Sequence, residues 1–271
     1  MARPDNVGLG SVPPHMLWGL WNRAAEHART EALLDDPIAA ELVARIESDL
    51  LEQFGKPAAE HAIRARFCDE LIRDFGHRTG GAGIVVALAP GLETQFWRLG
   101  KQALEWFNVE PLDGIAVRTG LLPGDEILHE IECDPRDPAW IGSLPAGRPV
   151  FICAASQLMH WAATEVVELF GEISTRLPGA EFFFDTVTPA DAEKMSDGLK
   201  VGDILVAPPM HWGIAAEDIE DFLSALAPWQ LMSLQTFEDP FPGRKTLYKA
   251  LSRLGPARRS EAGALVHARA G

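Results

Sequence analysis

Residues 84–95 read Ile84-Val85-Val86-Ala87-Leu88-Ala89-Pro90-Gly91-Leu92-Glu93-Thr94-Gln95. The first six form a short, unbroken apolar run preceded by Gly80, Gly81 and Gly83. Such a run suits a central parallel strand, buried on both faces. It ends in a turn carrying Pro90 and Gly91. A strand, a glycine-bearing turn and a helix start bring backbone close to a nucleotide-type ligand and point a helix N-terminus at any anionic group. Glu110 ends the next strand-like run, 19 residues after Gly91. An acid near that spacing can accept hydrogen bonds from both ribose hydroxyls. Alone, the pattern is generic, because any strand–glycine–helix turn looks similar.

Outward from this turn the same texture repeats. Strand-like runs follow at 104–109, 127–132, 150–154, 181–186, 231–237 and 264–268, and the clearest helical stretches between them are 164–173 and 216–226. Seven strands alternating mostly with helices predict an α/β fold, a sheet with helices on both faces and a ligand crevice at the C-terminal strand ends. The last two strands have a short connection around Lys245 to Leu251, so one of them is expected to run antiparallel. Upstream, Met16, Leu17, Leu20, Trp21 and Ala24 fall at helical spacing after Pro13 and Pro14, which suit a helix start. Asp35, Asp36 and Pro37 open a second helix through Ile46. A third covers 59–75, with Ile63, Phe67, Leu71 and Phe75 on one face. We therefore divide the chain into an N-terminal helical cap region, 1–78, and a Rossmann-like core, 79–271, with a cap insertion near 189–215.

Composition narrows the partners. Of 271 residues, 47% are apolar and 23% charged, which fits a globular protein rather than a disordered one. The 24 Lys and Arg against 39 Asp and Glu give a net charge of -15, a field that disfavours nucleic acid and anionic membranes. Cys68, Cys133 and Cys153 form no CxxC pair, so neither a disulfide framework nor a zinc site is expected. Reduced thiols, the lack of a signal pattern in 1–14 and the lack of a long apolar run together predict a cytoplasmic location. From Arg244 to the C-terminus, Arg244, Lys245, Lys249, Arg253, Arg258, Arg259 and Arg269 face one acid, Glu261. The plain reading is a solvated helix face, and the alternative is a homodimer contact with a second subunit's acidic surface.

The stretch 17–46, LWGLWNRAAEHARTEALLDDPIAAELVARI, resembles the N-terminal signature of the leucine carboxyl methyltransferase family. It is most similar to the bacterial polyketide branch, the tetracenomycin-type O-methyltransferases. The likeness continues through 63–69, 85–99, 106–122, 149–161, 211–214 and the closing strand. Its most specific anchors are Arg23-Ala24 with Asp36-Pro37, and Gly91-Leu92-Glu93-Thr94. The resemblance implies a class I fold that binds S-adenosylmethionine. It implies that Arg64 approaches the methionine carboxylate, Ala89, Gly91 and Glu93 belong to the nucleotide turn, Glu110 is the ribose acid, and Asp134 lies near the adenine.

The departures from the family pattern cluster in that same site. The usual turn reads Gly-x-Gly-Leu-Asp-Thr-Arg; here Ala89, Pro90, Glu93 and Gln95 stand at altered positions. After the fourth strand the family has Glu-Gly, then Tyr four residues on; here these are Ala155-Ser156 and His160. Ala89 adds a methyl near the ligand, Pro90 removes an N–H, and Ala155 lacks a carboxylate. One lost charged hydrogen bond costs roughly 1.5–3 kcal/mol, or about one to two decades of affinity. A Gln95 side chain filling the crevice would count against cofactor binding.

Methyl transfer from a sulfonium needs alignment and exclusion of water more than covalent help. A hydroxyl acceptor benefits from a base, whereas a carboxylate acceptor does not. His160 is the candidate catalytic base and His211 a second crevice histidine, each weighed against an ordinary hydrogen-bonded role. Trp18, Trp21, Trp161 and Trp212 are candidate stacking residues for a small-molecule substrate, against ordinary core packing. Arg23 is either a helix–helix ion pair or a substrate-carboxylate anchor. The expected activity is S-adenosylmethionine-dependent O-methylation of a carboxylate or hydroxyl of a small, polyketide-like metabolite. The alternative is a family member that has lost methyl transfer and binds a small molecule or performs a cyclase-like step.

Overall fold

The computed structural model describes residues 12–46, 49–100, 104–201, 205–237 and 262–271. Four helices come first: α1 (Pro14–His27), α2 (Pro37–Ala44), α3 (Leu50–Phe54) and α4 (Glu60–Thr79). Pro14 occupies the first turn of α1, where a missing N–H leaves nothing unsatisfied. Asp36 caps α2 by accepting the Ala39 N–H at 3.1 Å. Gly80, with φ of 58°, ends α4 in the left-handed conformation. The three helices predicted from the sequence are present, with α4 running beyond Phe75 to Thr79. The short α3 was not expected.

The alternating part then runs β1 (Ile84–Leu88), α5 (Gln95–Leu99), β2 (Glu105–Glu110), α6 (Leu112–Leu121), β3 (Leu128–Glu132), β4 (Val150–Ala154), α7 (Ala163–Arg176), β5 (Glu181–Asp185) and α8 (Pro189–Lys194). A small hairpin, β6 (Leu199–Val201) and β7 (Leu205–Ala207), precedes α9 (Ile219–Ala225), β8 (Gln230–Thr236) and β9 (Ala264–Arg269). All seven strand-like runs become strands of one sheet, ordered β3-β2-β1-β4-β5-β9-β8. Pairing is parallel from β3 through β5, and β9 is antiparallel to both its neighbours, which accounts for the expected reversal. Of the basic segment, all but Arg269 lies outside the described residues.

Side-chain alternation builds two cores. Ile84, Val86 and Leu88 face one side with Ile152, Phe182, Phe184 and Val266, under α7 and α9. Val85, Phe151, Cys153, Phe183 and Leu265 face the other, under Phe67, Ile72 and Phe75 of α4. Helix α4 therefore covers the sheet directly, across the boundary drawn at residue 78. A third cluster joins Leu17, Leu20 and Ala24 of α1 to Leu42 of α2, Leu92, Val117 of α6 and Leu205 of β7. The cap is thereby docked on the turn after β1. Strand order reverses at β1 and β4, so the crevice of such a sheet opens beyond their C-terminal ends.

Candidate functional site

Two left-handed residues flank that crevice. Ala89, after β1, has φ of 45°, and Ser156, after β4, has φ of 57°. Both stand where the family pattern has glycine. The turn after β1 is held from two directions. Glu110, buried at the end of β2, accepts the Gly91 N–H on Oε1 at 2.5 Å, and Arg118 of α6 donates to the Gly91 carbonyl. Burial raises the Glu110 carboxyl above its ordinary pKa, opposed by the Gly91 amide and the Arg118 charge. A Cβ on Gly114 would lie 2.6 Å from Glu110 Oε2, so the first turn of α6 needs glycine to admit this carboxylate. Gln157 bridges the two turns, donating to the carbonyls of Ala89 at 3.2 Å and Ala155 at 3.3 Å.

On the helical side of the turn lies a buried ionic network. Arg23 of α1 bonds Asp36 through Nε at 3.1 Å, donates to the Leu92 carbonyl at 2.6 Å and pairs with Glu93 at 3.2 Å. Its donors are thus committed to helix and turn, which is the ion-pair reading of this residue. Arg98 of α5 reaches Asp36 at 3.0 Å, Glu93 at 2.7 Å and both oxygens of Asp69 at 2.7 and 2.9 Å. Thr94 donates to Asp36 and Gln95 donates to Asp69 at 2.7 Å. Gln95 is therefore tied to α4, on the helical side of the turn. Burial alone would raise the Glu93 carboxyl, but Arg23 and Arg98 outweigh it and bring its pKa down to about 2.

Beyond β5, Arg64 of α4 donates from Nε to Asp185 at 2.7 Å, and its guanidinium carbon lies 5.3 Å from the centre of the Phe237 ring. His61, one turn away, meets the half-buried Trp18 edge-on at 4.7 Å. Burial, then the charges of Arg64 and Arg23, lower the His61 pKa to about 3, so it is neutral at pH 7. Trp21 is also half-buried, on α1.

His160 ends the turn after β4. Its Nδ1 lies 2.9 Å from the Pro209 carbonyl, in the insertion between α8 and α9. Two residues further on in that insertion, His211 and then Trp212 donate their N–H groups to the Met159 carbonyl at 2.8 and 3.2 Å. Burial lowers the His160 pKa, opposed by the Pro209 carbonyl and the Asp185 charge; His211 lowers it further. His15 of α1 feels the charges of Asp113 and His160. Trp161 and Trp212 are buried in the main core, with Trp212 against Phe222 at 5.7 Å, which is the packing role. Asp134 is exposed after β3 and forks onto Arg136, 2.6 Å away at the shorter contact.

Residues 17–146 match the family model described as leucine carboxyl methyltransferase. The match spans just under half of the chain, which over that stretch is similar to the leucine carboxyl methyltransferase family. A curated relative, the tetracenomycin polyketide synthesis O-methyltransferase TcmP of Streptomyces glaucescens, is 26% identical over 188 residues, covering 68% of this chain and 69% of its own. Two solved structures share the fold. One, from Thermobifida fusca YX and described as a methyltransferase, has a TM-score of 0.58 at 17% identity and covers 98% of this chain and 99% of its own. The other, a DUF574 family protein of Streptomyces avermitilis MA-4680, has a TM-score of 0.54 at 12% identity and covers 98% of this chain and 100% of its own.

The donor set of this crevice fits S-adenosylmethionine, the cofactor that the family resemblance implies. Arg64 offers a cation for a carboxylate, and Glu110 an acceptor for a ribose diol. Gly91 leaves backbone bare at the turn, with φ of 55°. Ala89 and Ser156, which stand where the family pattern has glycine, both adopt the left-handed backbone that glycine favours. Asp185, Gly114, His61, Asp69 and Arg98 complete the surroundings and were not singled out from sequence. Asp185 had a faint signal, a lone acid closing the apolar run Phe182-Phe183-Phe184. The others gave none: His61, Asp69 and Arg98 meet partners distant in the chain, and Gly114 matters only because the Glu110 side chain folds back over it.

Proposed function

We propose that this chain is an S-adenosylmethionine-dependent methyltransferase that methylates a hydroxyl oxygen of a small, polyketide-like acceptor. The observation that carries the choice of hydroxyl is the contact of His160 Nδ1 with the Pro209 carbonyl. A carbonyl only accepts, so Nδ1 carries the proton and Nε2 is left as a lone-pair base. S-adenosylmethionine, when bound, supplies an activated methyl group on a sulfonium. Arg64, Gly91 and Glu110 would hold it. His160 Nε2 takes the proton of the acceptor hydroxyl, and α1 with the α8–β7 insertion keeps water out. The relationship to a polyketide O-methyltransferase supports the acceptor class.

The first test is calorimetric titration with S-adenosylmethionine and S-adenosylhomocysteine. Micromolar binding, weakened about tenfold or more by Glu110→Gln, is expected. No binding up to about 1 mM, roughly -4 kcal/mol, would overturn cofactor use and favour a repurposed pocket. With a hydroxyl acceptor, His160→Ala should lower kcat by roughly 10²–10⁴-fold. The wild-type rate should be flat at neutral pH and fall only as pH drops through a His160 pKa below 6.5, since burial holds it down. An unchanged His160→Ala rate would point to a carboxylate acceptor, which needs no base.

A further inference from the structure

Asp185 closes β5 with no exposed surface. Both of its carboxylate oxygens are engaged. Oδ1 accepts the Ser156 N–H at 2.6 Å and Oδ2 accepts the Arg64 Nε–H at 2.7 Å. A buried carboxylate is tolerated only when paired and hydrogen-bonded, so this group is a fixed point in the crevice. Through Ser156 it pins the left-handed turn after β4. Through Arg64 it ties the second turn of α4 to the sheet, across 121 positions of sequence.

The geometry of the arginine matters more than its charge. A guanidinium is planar, with its N–H donors in a rigid fork. Clamping Nε and laying the plane near Phe237 leave little freedom to the two terminal amino groups. Among the described residues those amino groups make no hydrogen bond, although the Arg64 side chain is only 13% exposed. Arg64 thus holds a paired set of unspent donors, the arrangement that meets a carboxylate bidentately.

We propose that Asp185 is a positioning residue that orients Arg64 to grip the carboxylate of the cofactor's amino-acid moiety. This rests on the cofactor reading above. Asp185 touches no cofactor atom; it acts through Arg64.

The test is calorimetric titration of the full chain with S-adenosylhomocysteine and with 5′-methylthioadenosine, which lacks the amino-acid carboxylate. Wild type should prefer S-adenosylhomocysteine. Asp185→Asn should weaken that nucleoside about tenfold or more, while the affinity for methylthioadenosine moves less than about twofold, within the tolerance for independent effects. Arg64→Gln should show the same split, and the double variant should bind S-adenosylhomocysteine no more weakly than Arg64→Gln alone. Equal losses for both nucleosides in Asp185→Asn, or additive losses in the double variant, would overturn the assignment and leave the cofactor reading intact. If Asp185→Asn fails to fold by circular dichroism, the double variant, which buries no unpaired charge, carries the comparison with Arg64→Gln. A wild-type chain that binds methylthioadenosine as tightly as S-adenosylhomocysteine overturns this assignment but keeps the nucleoside site. A chain that binds neither overturns both.

Discussion

Ala89 and Ser156 hold φ of 45° and 57° at the ends of adjacent central strands. A Cβ in the left-handed region costs roughly 1–2 kcal/mol. Such strain persists where surroundings over-determine it. Here the Ala89 N–H is bound by the Val109 carbonyl at 2.9 Å, its carbonyl by Gln157, and the Ser156 N–H by Asp185. The sequence marked both positions as lost glycines, but whether the backbone had changed with them was not legible, because φ is imposed by these distant bonds. Ala89→Gly should therefore raise stability by about 0.5–1 kcal/mol, after allowing for the freer unfolded chain. It should also tighten S-adenosylhomocysteine binding by removing the methyl. Urea midpoints and calorimetry check the two effects, and a lower midpoint would mean that the methyl is a packing group.

Elements were legible to the degree that burial wrote them into the chain. Strands β1, β4 and β5 are buried at every position; β1 and β4 read as continuous apolar runs, and β5 as three phenylalanines between Glu181 and Asp185. Helices α1 and α2 announced themselves by Pro14 and by Asp36-Pro37 at their starts. The five-residue α3 and the three-residue strands of the β6–β7 hairpin are too short to show a period, and their positions come from packing on the cap. The start of α6 carries a constraint of another kind. Gly114 is favourable for Glu110 and unfavourable for the helix, where alanine gains about 1 kcal/mol. Gly114→Ala is expected to keep or raise the melting temperature while displacing Glu110 and weakening S-adenosylhomocysteine binding about tenfold. Loss of both together would mean that Glu110 is chiefly structural.

At the scale of the molecule, the cap is joined to the sheet by charge as well as by apolar packing. Arg98 and Arg23 meet Asp36, Asp69 and Glu93 from α1, α2, α4, α5 and the turn. Removing one partner strands buried charges, so Arg98→Ala should cost about 3–5 kcal/mol in chemical denaturation. The network also sets acid lability. The Glu93 pKa, held near 2 against 4.5 unpaired, stabilises the fold above pH 4.5, and that contribution is lost as pH falls toward 2. Glu181, held near 2 by His267 and Arg78 against its burial, adds to the same window. Stability measured from pH 5 to 2 should fall steeply, and less so in Glu93→Gln. The sequence by itself determined the strand set, the helix starts and the nucleotide-type turn, since periodicity, proline and glycine act within a few residues. Tertiary structure alone decided that Arg23 and Gln95 belong to a buried network, that Trp161 and Trp212 pack in the core, and that Asp185 meets Arg64. Such pairings depend on which strand ends the sheet order brings together, and no local pattern encodes that.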